Sequence, residues 1–493
     1  MAQHRLESGK PAKASGPSAG GAFGWSLANT LISRLGTLGI GIVLARVLGP
    51  EQFGTFAIAL VALMAVLSFN ELGVSLAIVR WPSDPALIFP TVNTLSLIGS
   101  SVFCALAWLA APQFTSLMGD PEATQVVRLL ILSVLVNGAV AGPAALLQRS
   151  FLERPRMVID QVNVWVGALV SIVLALMGMG AMALAIGRLV GSVLSGIMFL
   201  AASPIRFRLG FDRQKASALL KFGLPLAGSS IVVFLVGYAD QLMAGALLGT
   251  IALGFYVLAF NLSSWPLNIV SQPLRRVAPA VFAAVQHDPQ RSQNTLRGLF
   301  ALVASVSIPV FTALAGAAEP LVQLIYGEVW MPAAAVLMWL VIAALARVFC
   351  ELVYDYLVVA GRTSVVFTVQ FIGLVLLVPA LWIGAELGGI VGLAAAQTLV
   401  WFAIILPIYL GQLRNLGVHF LFLLKAFWRP ALGGLATGLV CYFAGELDIH
   451  PLAALALGGL STLLILGLLL WQQRGEIATI RNISRNDETT VTA

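Results

Sequence analysis

Apolar runs of about 20 residues recur from residue 23 to residue 471, and they constrain the fold more than any other feature. A run of that length matches the hydrocarbon thickness of a bilayer. Because no water reaches that depth, the backbone must satisfy its own hydrogen bonds, which predicts helices. Only 10% of the residues are charged, against about 25% in soluble domains. The sequence therefore predicts an all-α polytopic membrane protein.

The runs predict about fourteen transmembrane helices. They lie at 23–46, 53–78, 87–110, 124–147, 157–178, 180–202, 222–247, 251–272, 297–318, 332–359, 364–385, 389–411, 427–445 and 451–471. We expect two six-helix lobes and a terminal helix pair. The expected units are a polar cytoplasmic tail (1–22), the N-terminal lobe (23–202), a cytoplasmic linker (203–221), the C-terminal lobe (222–411), the terminal pair (427–471) and a second tail (472–493).

Basic residues are concentrated in every second loop between these runs. All 28 Lys and Arg residues fall in the tails or the even-numbered loops, with five exceptions: Arg34, Arg46, Arg128, Arg188 and Arg347. The odd-numbered loops instead carry acidic residues. By the positive-inside rule this alternation places both termini in the cytoplasm. The net charge of +7 is therefore explained by topology and does not point to nucleic acid.

An internal repeat relates the two lobes. Three pairs of matching segments define it. Leu48-Gly49 with Gly54 matches Leu248-Gly249 with Gly254, Leu117-Met118-Gly119 matches Leu324-Ile325-Tyr326-Gly327, and Arg154 matches Arg362. Six predicted spans separate the copies, so the lobes share an orientation, as in transporters with parallel repeats. Lobes of this kind typically hold their substrate between them.

Charged residues within the apolar runs are the main candidates for function. A charge near the bilayer centre costs about 3 kcal/mol, so it usually faces a bundle interior or a wet cavity. We take Arg34, Arg188 and Arg347 as candidates for binding an anionic substrate, together with Asn29 and Asn261. Asp240, Glu351 and Asp355 are candidates for ion coupling.

Structural roles are open for the same residues. Arg347 and Glu351 are four residues apart and could pair along one helix face. Asp240 could partner Arg34 across the lobes. The amide side chains could serve only as hydrogen bonds between helices.

Motifs for catalysis or cofactor binding are missing from the sequence. It contains no phosphate-binding lysine loop, no HExxH and no nucleophile elbow. Cys104, Cys350 and Cys441 lie in apolar runs without metal-ligand spacing. We therefore predict neither an enzyme nor a cofactor or metal site.

Several segments resemble one family of membrane proteins. They are ARVLGPEQFGTFAIAL (45–60), FNELGVSLAIVR (69–80), YADQLMAGALLGTIALGFYVLAFNLSSWP (238–266), LRRVAPAVFAAVQ (274–286), YGEVWMPAAAVLMWL (326–340) and AGRTSVVF (360–367). These segments are similar to sequences of the polysaccharide flippases, the Wzx-like branch of the multidrug/oligosaccharidyl-lipid/polysaccharide exporter superfamily. Within that branch they resemble the colanic-acid-type members.

The resemblance implies a two-lobed bundle that opens alternately to each side of the bacterial inner membrane. Its cargo would be a polyprenyl-pyrophosphate-linked oligosaccharide, with Arg34 the best positional match to the cationic residues of the family's cavity. Asp240 matches the Asp of the family's seventh span. A polysaccharide polymerase and a chain-length regulator are the protein partners that this role implies. The alternatives are a drug or metabolite antiporter of the same superfamily, a membrane polymerase or ligase, and a passive scaffold.

Overall fold

The computed structural model describes residues 19–70, 77–79, 81, 84–150, 152–285, 288–414, 420–447 and 449–475, and these ranges contain helices and no strand. The α-helices are α1 (Ala19–Asn70), α2 (Phe89–Leu117), α3 (Thr124–Ile131), α4 (Ser133–Arg149), α5 (Glu153–Leu176), α6 (Ala181–Ala202), α7 (Arg213–Leu248), α8 (Thr250–Val285), α9 (Pro289–Gly316), α10 (Ala318–Tyr326), α11 (Pro332–Val359), α12 (Thr363–Leu399), α13 (Leu406–Arg414), α14 (Phe420–Glu446) and α15 (Pro451–Gln472).

The predicted fold class is confirmed. In the described part of the chain, eleven helical stretches are long and apolar enough to cross a membrane. Two long helices each cover one predicted span and part of the next. Gly49 interrupts α1, and Gly388 with Gly389 interrupts α12. The count of fourteen crossings stays a prediction.

Helix α8 is longer than the sequence predicted. Its predicted span ended at residue 272, but the helix continues to Val285 through Pro266, Pro273 and Pro279. Proline is tolerated within membrane helices because neighbouring groups satisfy the backbone atoms that it frees. Arg275 therefore lies on a helix and not in the cytoplasmic loop where the charge pattern placed it.

Helix α7 begins inside the predicted linker 203–221. Asp212 caps it by accepting hydrogen bonds from the backbone N–H groups of Gln214 and Lys215, at 3.0 and 3.2 Å. Such a cap satisfies donors that the first helical turn leaves free. The segment before it is tied to α2, where the Thr94 hydroxyl donates to the carbonyl oxygen of Gly210 at 2.9 Å.

Four glycines support the internal repeat. Gly49 and Gly249 have φ angles of 71° and 83°, and Gly119 and Gly327 have φ angles of 76° and 94°. Residues with a Cβ rarely adopt this left-handed region. The chain thus turns with the same local geometry at equivalent points of the two lobes.

The two lobes meet where the repeated glycines cross. A Cβ on Gly54 would collide with the carbonyl oxygen of Thr250, and a Cβ on Gly254 would collide with that of Pro50. Pro50 and Thr250 are themselves 200 residues apart, as are the two glycines. The contact is therefore reciprocal, like an isologous dimer interface inside one chain. Glycine is required because only it lets the backbones of α1 and α8 approach this closely.

Polar and aromatic contacts surround this crossing. Arg46 donates hydrogen bonds of 2.6 Å to the carbonyl oxygens of both Leu324 and Ile325, at the end of α10. Trp330 is 1% exposed and meets the rings of Phe53 and Phe255 edge-on, at centroid distances of 5.6 and 5.8 Å. We call this set the glycine seal: Arg46, Phe53, Gly54, Gly254, Phe255 and Trp330. It joins the lobes at the end of the molecule that carries the odd-numbered loops.

Gly54→Leu should prevent the seal from closing, because the new side chain meets the Thr250 carbonyl. We expect the yield of a cross-link between cysteines at Phe53 and Trp330, formed by a short bifunctional thiol reagent, to fall at least fivefold. Gly41→Leu is the matched control, since a Cβ at Gly41 meets no atom within 4 Å. Equal yields in the two variants would show that the crossing does not depend on glycine.

Candidate functional site

A cavity of about 400 Å³ lies within the C-terminal lobe. Its walls come from α7, α8, α11, α12 and α13, with polar side chains from Arg275, Arg347, Glu351, Gln370 and Gln397. Its volume is within the range of small-molecule sites. At 1.5 Å per residue, the lining runs from the middle of the helices toward the end that carries the even-numbered loops, the basic end. A polar, charged cavity inside an apolar bundle is the strongest candidate for a binding site.

A π-helical turn shapes one wall of this cavity. Residues Val400–Ile405 form the turn between α12 and α13. Such turns are rare and frequently occur at functional sites, because the extra residue redirects side chains. Trp401 lies in the turn and lines the cavity, and the guanidinium carbon of Arg347 lies 5.4 Å from the centroid of its ring. This distance is typical of a cation–π contact.

Arg347 does not pair with Glu351, contrary to the simplest structural expectation. Glu351 instead binds Arg275 of α8, with 3.0 Å between Arg275 Nη2 and Glu351 Oε1. Within the described residues, no carboxylate oxygen lies within 4 Å of the Arg347 guanidinium. Arg347 therefore presents a positive charge to the cavity with an aromatic ring as its neighbour.

The two carboxylates of α11 lie one turn apart and are incompletely satisfied. Glu351 Oε2 and Asp355 Oδ2 are both buried and have no hydrogen-bond partner among the described atoms. Buried polar atoms usually have partners, so each exception calls for an explanation. Protonation of each carboxylate, or binding of a cation by each, would account for these oxygens.

Asp240 lies in a buried polar cluster beside the cavity. Asp240 is 2% exposed, and its Oδ2 accepts a hydrogen bond of 3.1 Å from Gln397 Nε2. The Tyr256 hydroxyl lies 3.0 Å from that same Oδ2 and 2.6 Å from Gln397 Oε1, and it can donate to one of them. The backbone N–H of Gln241 donates to Asp240 Oδ1 at 2.8 Å. The carboxylate thus has hydrogen-bond donors within reach on α7, α8 and α12.

Gln397 connects the Asp240 cluster to the cavity. Its amide binds Asp240, while its side chain also contributes to the cavity wall beside Arg347 and Trp401. A change in the charge of Asp240 would therefore reach the cavity through one hydrogen bond.

The structure brings together only part of the predicted site. Arg347 and Glu351 line the cavity, whereas Arg188 on α6 and Asn261 on α8 are exposed and lie outside its lining. Arg188 lies within electrostatic range of Tyr238 of α7, next to Gly237 in the cavity wall. The side chains of Asn29 and Arg34, both on α1, lie outside the described part of the structure. The pairing of Asp240 with Arg34 therefore stays a prediction.

Sequence reasoning missed Arg275, Trp401, Gln397 and Tyr256. Arg275 followed two prolines and was counted as a loop charge. Gln397 carried a usable signal, because an amide in the apolar run 389–411 needs a partner inside the membrane. Nothing in the sequence indicated the π-helical turn that directs Trp401.

Comparison with known proteins agrees with this architecture. Residues 43–335, more than half of the chain, match the family model described as polysaccharide biosynthesis protein. The chain belongs to this family. The expectation made from the sequence resemblance is thereby confirmed.

Curated relatives cover most of the chain. The lipopolysaccharide biosynthesis protein WzxC of Escherichia coli (strain K12) is 25% identical over 428 residues, which is 85% of this chain and 86% of WzxC. The succinoglycan biosynthesis transport protein ExoT of Rhizobium meliloti (strain 1021) is 27% identical over 78% of this chain and 76% of ExoT.

Two solved structures share the fold. The lipid II flippase MurJ in an inward closed conformation matches with a TM-score of 0.72 and 15% identity, over 90% of this chain and 98% of MurJ. An inward-facing multidrug resistance transporter of the MATE family matches with a TM-score of 0.63 and 16% identity, over 78% of this chain and 94% of that transporter. This chain thus shares the helical fold of both proteins.

Tyr256→Phe should destabilise the Asp240 cluster, because it removes one of the donors next to a buried carboxylate. We expect a loss of about 1–3 kcal/mol, seen as a lower thermal unfolding temperature in detergent. Tyr326→Phe is the control, because the described structure shows no hydrogen bond from its hydroxyl. An unchanged unfolding temperature for Tyr256→Phe would indicate that the cluster is not formed.

Proposed function

We propose that this protein moves polyprenyl-pyrophosphate-linked oligosaccharide units across the bacterial inner membrane for exopolysaccharide synthesis. The family match and the names of WzxC and ExoT support polysaccharide export. The observation that carries the proposal is Arg347, a cation inside a membrane-embedded cavity without a carboxylate partner among the described residues. Burying such a charge is costly, so the site favours an anionic ligand. A pyrophosphate headgroup supplies one.

The molecule works by alternating access of the two lobes. In this scheme both termini and the basic end face the cytoplasm, and the glycine seal closes the periplasmic side. The described structure then corresponds to a state that is closed toward the periplasm. The lobes are residues 23–202 and 222–411, with the helices of 427–471 outside them.

Arginines attract the headgroup, and amides bind the sugars. Arg34, Arg188 and Arg347 hold the pyrophosphate at successive stages, and Asn29 and Asn261 donate hydrogen bonds to sugar hydroxyls. Of these three arginines, Arg347 lines the cavity of the C-terminal lobe. The lipid tail stays in the bilayer while the headgroup crosses.

An ion gradient drives the cycle through the buried acids. Asp240 binds the ion or proton, and its hydrogen bond to Gln397 transmits the change to the cavity wall. Glu351 and Asp355, with their unpartnered oxygens, form a second acidic position. The protein acts as a carrier and not as an enzyme. A polysaccharide polymerase and a chain-length regulator act on its product.

Deletion of the gene should strand complete lipid-linked repeat units on the cytoplasmic leaflet and abolish export. An impermeant glycan-binding probe, applied to spheroplasts, assigns the leaflet. Arg34→Ala should reproduce this phenotype, because it removes a cation that attracts the pyrophosphate. Normal export in the deletion strain would overturn the flippase and favour a drug or metabolite antiporter. Units that reach the periplasm unpolymerised would instead indicate a role in polymerisation.

Asp240→Asn should uncouple transport from the ion gradient, because the amide cannot bind a proton or a cation as a carboxylate does. In proteoliposomes, we expect ionophores that collapse the gradient to slow flipping at least fivefold in the wild type and less than twofold in this variant. Glu386→Gln is the control, because Glu386 is exposed and, among the described residues, accepts a hydrogen bond from Trp382 alone. A variant that keeps the full ionophore response would exclude Asp240 from coupling.

A further inference from the structure

The cavity of the C-terminal lobe combines three features. It has a cation without a carboxylate partner among the described residues, Arg347, and an aromatic ring, Trp401. It also has two amide side chains, Gln370 and Gln397. A site for an apolar drug would need neither the cation nor the amides.

Each feature fits one part of a charged sugar. An unpaired guanidinium binds an oxyanion, since its N–H groups match phosphate and carboxylate oxygens. The amides can donate to and accept from sugar hydroxyls. The indole ring offers an apolar, rigid surface for the carbon face of a pyranose, while Arg347 occupies one side of the ring.

The cavity is accessible from outside the lobe. Val233 is 68% exposed and lines the cavity, as do the exposed residues Arg275 and Gln370. Its volume of about 400 Å³ is large enough for a single sugar with its anionic group. The ion pair of Arg275 and Glu351 lies in the same wall, and among the described residues no carboxylate oxygen lies within 4 Å of Arg347.

We infer that this cavity is a subsite for one sugar that carries an oxyanion, with Arg347 on the anion and Trp401 against the sugar ring. This inference rests on the proposed function and adds to it the place where the headgroup binds. The oxyanion can come from the carrier's pyrophosphate next to the first sugar, or from an acidic substituent of the oligosaccharide. The chemistry that Arg347 recognises is the same in both.

The chain contains a matched control for the pair. Arg128 lies over the ring of Trp108 with the same separation of 5.4 Å, but at the opposite end of the molecule and outside the cavity lining. Arg128→Gln therefore removes an equivalent cation–π contact without touching the proposed subsite.

Binding of small probes to the purified full-length protein tests the inference. The probes are α-glucose 1-phosphate, farnesyl pyrophosphate, methyl glucuronide and neutral methyl glucoside, each titrated in detergent. We expect Arg347→Gln to weaken binding of the anionic probes at least tenfold, and Arg347→Lys to restore part of it. Trp401→Ala should weaken glucose 1-phosphate about tenfold and farnesyl pyrophosphate less than twofold, and Trp401→Phe should keep most of the sugar binding.

The probes also distinguish the two sources of the anion. If farnesyl pyrophosphate binds tightly and its binding depends on Arg347, the oxyanion is the carrier's pyrophosphate. If methyl glucuronide binds and farnesyl pyrophosphate does not, the oxyanion is an acidic group of the sugar. Either result supports the subsite. Equal affinities in wild type and Arg347→Gln, or an equal loss in Arg128→Gln, would overturn it.

Failure of the subsite can be separated from failure of the proposed function. If gene deletion blocks export but the Arg347 and Trp401 variants bind the probes and export normally, the flippase function is supported and the subsite is contradicted. If the subsite binds the probes but deletion leaves export intact, the binding site stands and the transported substrate must be another sugar-linked anion.

Discussion

The reciprocal contact of Gly54 and Gly254 is the interaction on which the two-lobed structure depends. Each glycine leaves room for a carbonyl oxygen of the other lobe, at Thr250 and Pro50. Without this close crossing, Trp330 could not pack against aromatic rings from both lobes, and Arg46 could not reach the end of α10. Because the contact is made by repeated positions of one chain, loosening it on one side loosens it on the other. Such a contact is well suited to a seal that opens as a unit.

The cavity of the C-terminal lobe meets a different physical constraint. Within a bilayer, an unpaired cation is costly, so Arg347 must either bind an anion or be shielded. Trp401 shields Arg347 on one side, and Glu351, the acid one helical turn from Arg347, pairs with Arg275 instead. The remaining side faces a cavity large enough for a headgroup. Asp240, the proposed coupling residue, lies beside the cavity, since Gln397 both binds Asp240 and lines the cavity.

The sequence predicted the outline of the site better than its details. Arg347, Glu351 and Asp240 were all selected, because charges are rare in apolar runs and therefore conspicuous. The pairing of Arg347 with Glu351, one of the possibilities that their spacing left open, is not formed, because Arg275 approaches Glu351 from another helix. Arg275 itself was placed in a loop, because the predicted span ended at residue 272, whereas α8 continues to Val285. Trp401 gave no signal, because an aromatic residue in a membrane span is ordinary.

The sequence by itself determined the class of fold, the positions of most spans and the relation between the lobes. Apolar length, charge alternation and repeated glycines are local properties, and the bilayer turns each of them directly into structure. Only the tertiary structure decided which charges meet, which stay unpaired and which side chains share a cavity. Those outcomes depend on distances between helices far apart in the chain and on a π-helical turn. A single extra residue in that turn changes the direction of a side chain without changing the pattern of the sequence.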